Sequence, residues 1–399
     1  MVQRVLVVIG LIALGIGAVW FLFLREDDPF AASAISDPPF ASLSYGIQAF
    51  LWWDGGEANY TLELIRMMNF SYVKQTFAWH DLEPSRGRWI WRQSDRIVDE
   101  IQARDLRLIV RLGDVPRWAQ RPQNADFPDV HDTPPADLAD WAVYCGTIAA
   151  RYQGRVAAYQ IWNEPNLARE WGGDRPDPAG YVAMLAACSQ AIRAADPDAI
   201  LISAGLSPTG NDDALARRDD LYLQDLYDLN FQQYVDVVGM HAPGFTAPEV
   251  DPADAPAGRW ASFRRIEDLR KIMIANGDAA RQVAILETGY TTEQRDPVYA
   301  WFAVDEATQA RHLSAAYAYA AEHWRPWVGL MSAIYMSKPT WTAEDEEFWW
   351  SVTIPGNQPG QIFTRPAYGA LVIMPKYCGD LVIPERDPAN IPPIPAQRC

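Results

Sequence analysis

Eight short apolar runs, each followed by a segment of helical periodicity, constrain this chain more than any other feature. The runs are Tyr45 to Leu51, Tyr72 to Phe77, Arg107 to Leu112, Ala157 to Trp162, Ile200 to Ala204, Val235 to Met240, Val283 to Leu286 and Val328 to Tyr335. Near-continuous apolar runs mark strands buried on both faces, as in parallel sheets covered by helices. Helical patterns fall between them, for example at Ser94 to Arg104, Pro135 to Tyr152, Pro178 to Ala194, Ser262 to Asn276 and Asp305 to His323, with a last one at Pro366 to Met374. Pro135 and Pro178 are expected in first turns. Eight strand–helix units over about 330 residues predict an α/β fold of the (β/α)8 barrel type. The rival, a doubly wound open sheet, often carries a glycine-rich phosphate turn after its first strand, and none stands here.

The expected barrel spans residues 42–375. Before it, Val5 to Leu24 is an apolar run of 20 residues flanked by Arg4 and by Arg25-Glu-Asp-Asp28. At about 1.5 Å per residue such a helix crosses a hydrocarbon core of about 30 Å. Signal peptides have shorter apolar regions with a small-residue cleavage site close behind, whereas Ala31-Ala-Ser-Ala34 follows a charged patch. Residues 1–24 are therefore expected to be a single transmembrane anchor that leaves the catalytic body outside the cytoplasm, with secretion after cleavage as the alternative. Residues 25–41 read as a linker and 376–399 as a Pro-rich tail. Cys145 and Cys188 fall in helical patterns and are expected as free buried thiols. A disulfide between Cys378 and Cys399 would pin the tail. No cysteine spacing resembles a metal site, and no metal or organic cofactor is expected. The net charge of −17 argues against a nucleic-acid partner.

In a (β/α)8 barrel the working residues sit where strands end. Those positions hold Trp52, Trp79, His80, Arg111, Asn163, Glu164, His241, Glu287 and Tyr290, with Trp341 a little beyond the eighth strand. Glu164 closes the run Val156-Ala-Ala-Tyr-Gln-Ile-Trp-Asn-Glu164, and Glu287 closes Val283-Ala-Ile-Leu-Glu287. Two carboxyls facing each other across a barrel mouth are the minimum equipment for cleaving a glycosidic bond. Pro165 is expected to hold Glu164 in extended geometry. Asn163 is a candidate donor to a sugar hydroxyl. With 17 tryptophans, aromatic content exceeds what a core needs, and pyranose rings present apolar faces that suit indoles. Trp52, Trp79 and Trp341 are candidate platforms. Trp141 and Trp324, inside helical patterns, read as core.

Ile161-Trp-Asn-Glu-Pro-Asn166 and Leu286-Glu-Thr-Gly-Tyr290 resemble the glycoside hydrolases of clan A, in particular family 39 β-xylosidase-like and family 5 cellulase-like members. Phe77-Ala-Trp-His-Asp-Leu-Glu-Pro84 and Pro116-Arg-Trp-Ala119 look like that clan's second and third barrel units. The resemblance implies a carbohydrate substrate, retention of configuration, Glu164 as acid/base and Glu287 as nucleophile. The acid needs a raised pKa and the nucleophile must stay ionised, with Arg111 and His241 as candidate supports. Where many clan members place His, a spacer and Tyr, this chain has His241-Ala-Pro243, so Tyr290 or Tyr335 is the candidate replacement hydroxyl. The alternatives are a carbohydrate-binding pseudoenzyme on the same barrel and a transglycosylase.

Overall fold

The computed structural model describes residues 28–53, 58–127, 130–358 and 360–389. Eight parallel strands close into a barrel in chain order. They are β1 (Ser44–Gln48), β2 (Tyr72–Ala78), β3 (Arg107–Gly113), β4 (Ala158–Ile161), β5 (Ile200–Ser203), β6 (Val237–His241), β7 (Gln282–Thr288) and β8 (Val328–Ala333). Each is followed by one principal helix: α1 (Ala58–Met67), α2 (Arg92–Gln102), α3 (Leu138–Arg151), α4 (Pro178–Ala195), α5 (Asp219–Asp228), α6 (Arg265–Ala275), α7 (Glu306–His323) and α8 (Pro366–Ile373). The architecture is the expected (β/α)8 barrel.

Two apolar layers hold it together. Tyr72, Ile109, Ala158, Ile202, Val237, Ala284, Leu286 and Leu330 fill the interior and are joined by Phe40. Gln282 fixes that residue by accepting from its backbone N–H and donating to its carbonyl, both at 3.0 Å. The larger layer lies between strands and helices and takes in Trp79, Trp141, Trp162, Trp171, Trp324 and Trp327. Filling the interior from below sets the C-terminal mouth as the place where strand-end side chains meet a ligand.

Local signals set several helix starts. Pro178 occupies the first turn of α4 and Asp177 caps it through the Gly180 N–H. Pro135 is not in a first turn: α3 starts at Leu138, where Asp137 accepts from the Ala139 N–H. The expected free thiols are also corrected. Cys145 on α3 and Cys188 on α4 form a disulfide with a Cα–Cα distance of 5.4 Å. Cys378 is disulfide-bonded too, and its expected partner Cys399 lies outside the described residues. So does the run Val5 to Leu24; among the described residues no helix is long and apolar enough to cross a membrane. The start of the tail forms a short hairpin, Lys376–Cys378 with Leu381–Ile383. Backbone bonds from Leu43 to Tyr377 and from Gly379 to Ser42 tie it beside β1.

Candidate active site

The loops after the strands enclose a cavity of about 690 Å³ whose lining includes Glu164, Glu287, His241, Arg111, Asn163 and His80. Glu287 belongs to β7 itself. The register between β6 and β7 slips after Met240, so that His241 faces Glu287 where an unbroken ladder would place it opposite Leu286. Such irregularities re-aim side chains beside sites. Glu164 stands three residues beyond β4, with its backbone N–H on the Gly205 carbonyl at 3.1 Å. Its φ of 36° lies in the left-handed region, not in the extended geometry expected from Pro165. A proline disfavours the right-handed helical region for the residue before it, and the turn at the strand end takes the left-handed alternative. For a residue other than glycine this conformation is strained, and such strain gathers at functional sites.

His241 joins the two carboxyls. Its Nδ1 lies 2.9 Å from Glu164 Oε1 and 3.7 Å from Glu287 Oε2. Gly205 makes room for the ring: a Cβ there would sit 2.1 Å from His241 Cδ2. Each carboxylate has a second cation. Lys74 on β2 reaches across the barrel interior to Glu287 Oε1 at 2.9 Å and to the Leu286 carbonyl at 3.1 Å, with 1% of its side chain exposed. Arg169, on the loop after β4, donates from Nη2 to Glu164 Oε2 at 3.1 Å.

These partners decide the ionisation of both acids. Burial pushes the Glu287 carboxyl up, but Lys74 and then His241 outweigh it and hold the pKa below the usual value, even against the like charge of Glu164. Burial likewise raises Glu164, and the His241 hydrogen bond and charge, followed by Arg169, bring it well below the ordinary carboxylate range. The expectation of a raised pKa on Glu164 is therefore reversed in the free protein. Burial and the Glu287 charge push the Tyr335 phenol well up, which places this cavity-lining hydroxyl in the field of Glu287.

Glu164, His241 and Glu287 bring ligand atoms within 4.8 Å of one another. A divalent cation fits them poorly, because Lys74 and Arg169 already compensate one carboxylate each. The spacing instead suits acid and nucleophile flanking one anomeric carbon, where retaining enzymes hold their carboxyls about 5–5.5 Å apart and inverting ones about 6.5–9.5 Å.

Asn163 and Arg111 line the cavity beside the pair. Arg111 Nη2 is 3.7 Å from Asp114, so Lys74, which the sequence reading passed over, is the direct cationic partner of Glu287. His80 also lines the cavity, with Nδ1 3.1 Å from the Asp114 carbonyl. Four other candidates stand outside the lining. Trp79 is buried, stacks on Tyr144 at 4.9 Å and donates to Glu83 at 2.8 Å. Trp52 packs edge-on against Phe77 in the core layer. The buried Tyr290 rests on His312 at 5.0 Å. Trp341 sits behind the wall, against Phe50 at 4.6 Å and Tyr335 at 5.6 Å. The aromatic groups that do line the mouth include Trp53, Phe245, Trp260, Trp301 and Phe302.

Comparison with known proteins bears on the family and the fold. A family model described as cellulase, glycosyl hydrolase family 5, matches residues 37–243. No curated protein matches the chain. Among solved structures, it superposes on a family 39 glycoside hydrolase from Bacteroides cellulosilyticus WH2 with a TM-score of 0.60 at 19% identity, covering 85% of this chain and 64% of that one. A family 39 β-xylosidase from Caulobacter crescentus gives 0.57 at 16% identity, with 87% and 75% covered. A family 1 β-glucosidase from Thermotoga maritima gives 0.55 at 13%, with 84% and 97% covered. At such identities these likenesses carry the fold alone. The family model spans more than half of the chain and takes in β1 to β6 with Glu164 and His241, and on that ground the chain belongs to the cellulase family of glycosyl hydrolases, family 5.

Proposed function

We propose that the protein is a retaining glycosidase of β-linked oligo- or polysaccharide, with Glu287 as nucleophile and Glu164 as acid/base. One observation carries this reading: carboxylates from β4 and β7 converge on His241 with ligand atoms within 4.8 Å. In the first step a Glu287 oxygen bonds to the anomeric carbon as the glycosidic C–O bond breaks, and the leaving oxygen takes a proton from Glu164. In the second, Glu164 accepts a proton from water, whose oxygen displaces Glu287 and restores its carboxylate. Lys74 keeps Glu287 ionised for the attack.

Glu164 must carry a proton when the substrate is bound, although in the free protein it is held as a carboxylate. Its Arg169 partner is half-buried at the mouth, with 39% of the side chain exposed. A sugar that displaces this guanidinium from Oε2 removes one of the two groups that lower the pKa, so that burial is opposed by the His241 contact alone. The proton is thus taken up by Glu164 as the substrate binds.

Asn163 and Arg111 are proposed to hold sugar hydroxyls. We place the body outside the cytoplasm, tethered through Val5 to Leu24. The α3–α4 disulfide supports that placement, since such bonds persist in oxidising compartments. Proton NMR of the anomer first released from an accepted β-glycoside tests the mechanism: the β-anomer is expected, and initial release of the α-anomer overturns retention.

A further inference from the structure

The line from Glu164, just past the end of β4, to Glu287 on β7 divides the mouth into two chemically different halves. Toward β8, β1, β2 and β3 the lining carries Gln48, His80, Asp81, Arg111 and Asp114, all able to partner hydroxyls, alongside the rings of Phe50, Trp53 and Tyr335. Toward β5, β6 and β7 it is dominated by Phe245, Trp260, Trp301 and Phe302, with Val298 at the rim. Phe245 lies 5.2 Å from Trp260, 4.8 Å from Phe302 and 5.8 Å from Trp301, to whose plane it is inclined by only 13°. This cluster is not closed over. Trp301 is 52% exposed and Val298 is 63% exposed, which leaves apolar surface facing the cavity and solvent.

The polar groups on that side are largely engaged. Trp350 Nε1 donates to Glu346 at 3.2 Å, and the Tyr299 hydroxyl bonds to the same carboxylate. A pyranose lying here would find faces to stack on but few partners for its hydroxyls, and a buried hydroxyl without a partner is costly. A purely apolar group meets no such cost and removes the exposed ring surface from water.

We propose that the β5–β7 side of the mouth is a leaving-group subsite for an apolar aglycone, an alkyl chain or aryl ring, with the sugar held on the β8–β3 side. This rests on the glycosidase reading and refines it, from an enzyme of sugar–sugar linkages toward one that releases a sugar from a hydrophobic alcohol.

The test uses the full chain. A panel of p-nitrophenyl β-glycosides identifies the preferred sugar, and kcat/KM is then measured for its methyl, butyl and octyl β-glycosides and for the corresponding disaccharide. We expect kcat/KM to rise by about threefold per methylene up to butyl, and the octyl-to-methyl ratio to fall at least tenfold in a Trp301→Ala, Phe245→Ala double variant of unchanged Tm. In parallel, tryptophan fluorescence of the cleavage-blocked Glu287→Gln chain reads Kd for octyl and methyl β-glucoside below micelle-forming concentrations. Tighter octyl binding that Trp301→Ala abolishes supports the subsite without requiring turnover. A series flat within twofold, or a ratio the double variant leaves unchanged, overturns the proposal. So does a disaccharide preferred over butyl and weakened most by Trp301→Ala, because the wall is then a sugar platform. Absence of turnover on every glycoside, with octyl binding retained, counts against the catalytic reading and not against the subsite.

Discussion

The two carboxylates differ in how they are held. Glu287 lies within a barrel strand, and its cation, Lys74, is enclosed within the barrel at 1% exposure. Glu164 stands on a left-handed turn past the end of its strand, and its cation, Arg169, comes from a loop and is 39% exposed. The pair His241 bridges is thus rigid on one side and releasable on the other. That asymmetry matches the roles. A nucleophile must stay ionised through the approach of substrate, whereas an acid/base must gain and lose a proton in each cycle.

The largest effect expected from breaking this arrangement comes from the acids. Glu287→Gln should lower kcat by about 10⁴-fold or more on every substrate. Glu164→Gln should cost about 10²–10⁴-fold on alkyl or sugar leaving groups and far less on a dinitrophenyl glycoside, whose leaving group needs no proton. Equal losses in both variants on both substrates would erase the distinction between the roles.

Next in size is Lys74→Met. It leaves a buried carboxylate without its Lys74 cation, so Glu287 should titrate at higher pH. The acid limb of the kcat/KM profile should move to higher pH with it, with Lys74→Arg recovering part of the shift. In stability terms the depressed Glu287 pKa contributes above the ordinary carboxylate value and is lost as pH falls through the folded value. The Lys74→Met chain should therefore lose less stability than the parent on acidification over that window, as read by urea unfolding at successive pH values.

The β4 side has a covalent tie that, among the described residues, the β7 side lacks. Cys145 and Cys188 join α3 to α4, the helices on either side of the strand that leads to Glu164. Replacing both by Ala is expected to cost about 2–4 kcal/mol in denaturant unfolding. The smallest change is assigned to Arg169→Gln. Losing a partly exposed cation raises the Glu164 pKa, so the basic limb of the pH profile should move up by less than a unit, with a several-fold change in kcat/KM. A shift as large as that of Lys74→Met would remove the contrast between a fixed and a releasable partner.

The barrel was legible because strands buried on both faces read as apolar runs, and all eight lie within a few residues of their predicted places. The carboxylates were legible because each follows such a run. Lys74 left a signal that was not used: a charge inside Tyr72-Val-Lys-Gln-Thr-Phe77 is rarely buried without a partner. Trp79 and Trp52 misled because position at a strand end does not say whether a ring turns into the mouth or back under the helices. Trp79 turns back, held by Tyr144 and Glu83. The disulfide was illegible because its cysteines lie 43 residues apart on separate helices, and only the packing of α3 on α4 brings them together. The aromatic wall comes from loops after β6 and β7, whose course no periodicity encodes.

The central claim, that Glu287 attacks and Glu164 donates, meets its most direct test in a 2-deoxy-2-fluoro glycoside with an activated leaving group, followed by proteolysis and mass spectrometry. The account predicts one fluoro-sugar per chain, esterified to Glu287 and released on dilution into acceptor. Labelling of Glu164 or of another residue, or turnover of the preferred glycoside by a chain that the reagent neither labels nor inactivates, would contradict it.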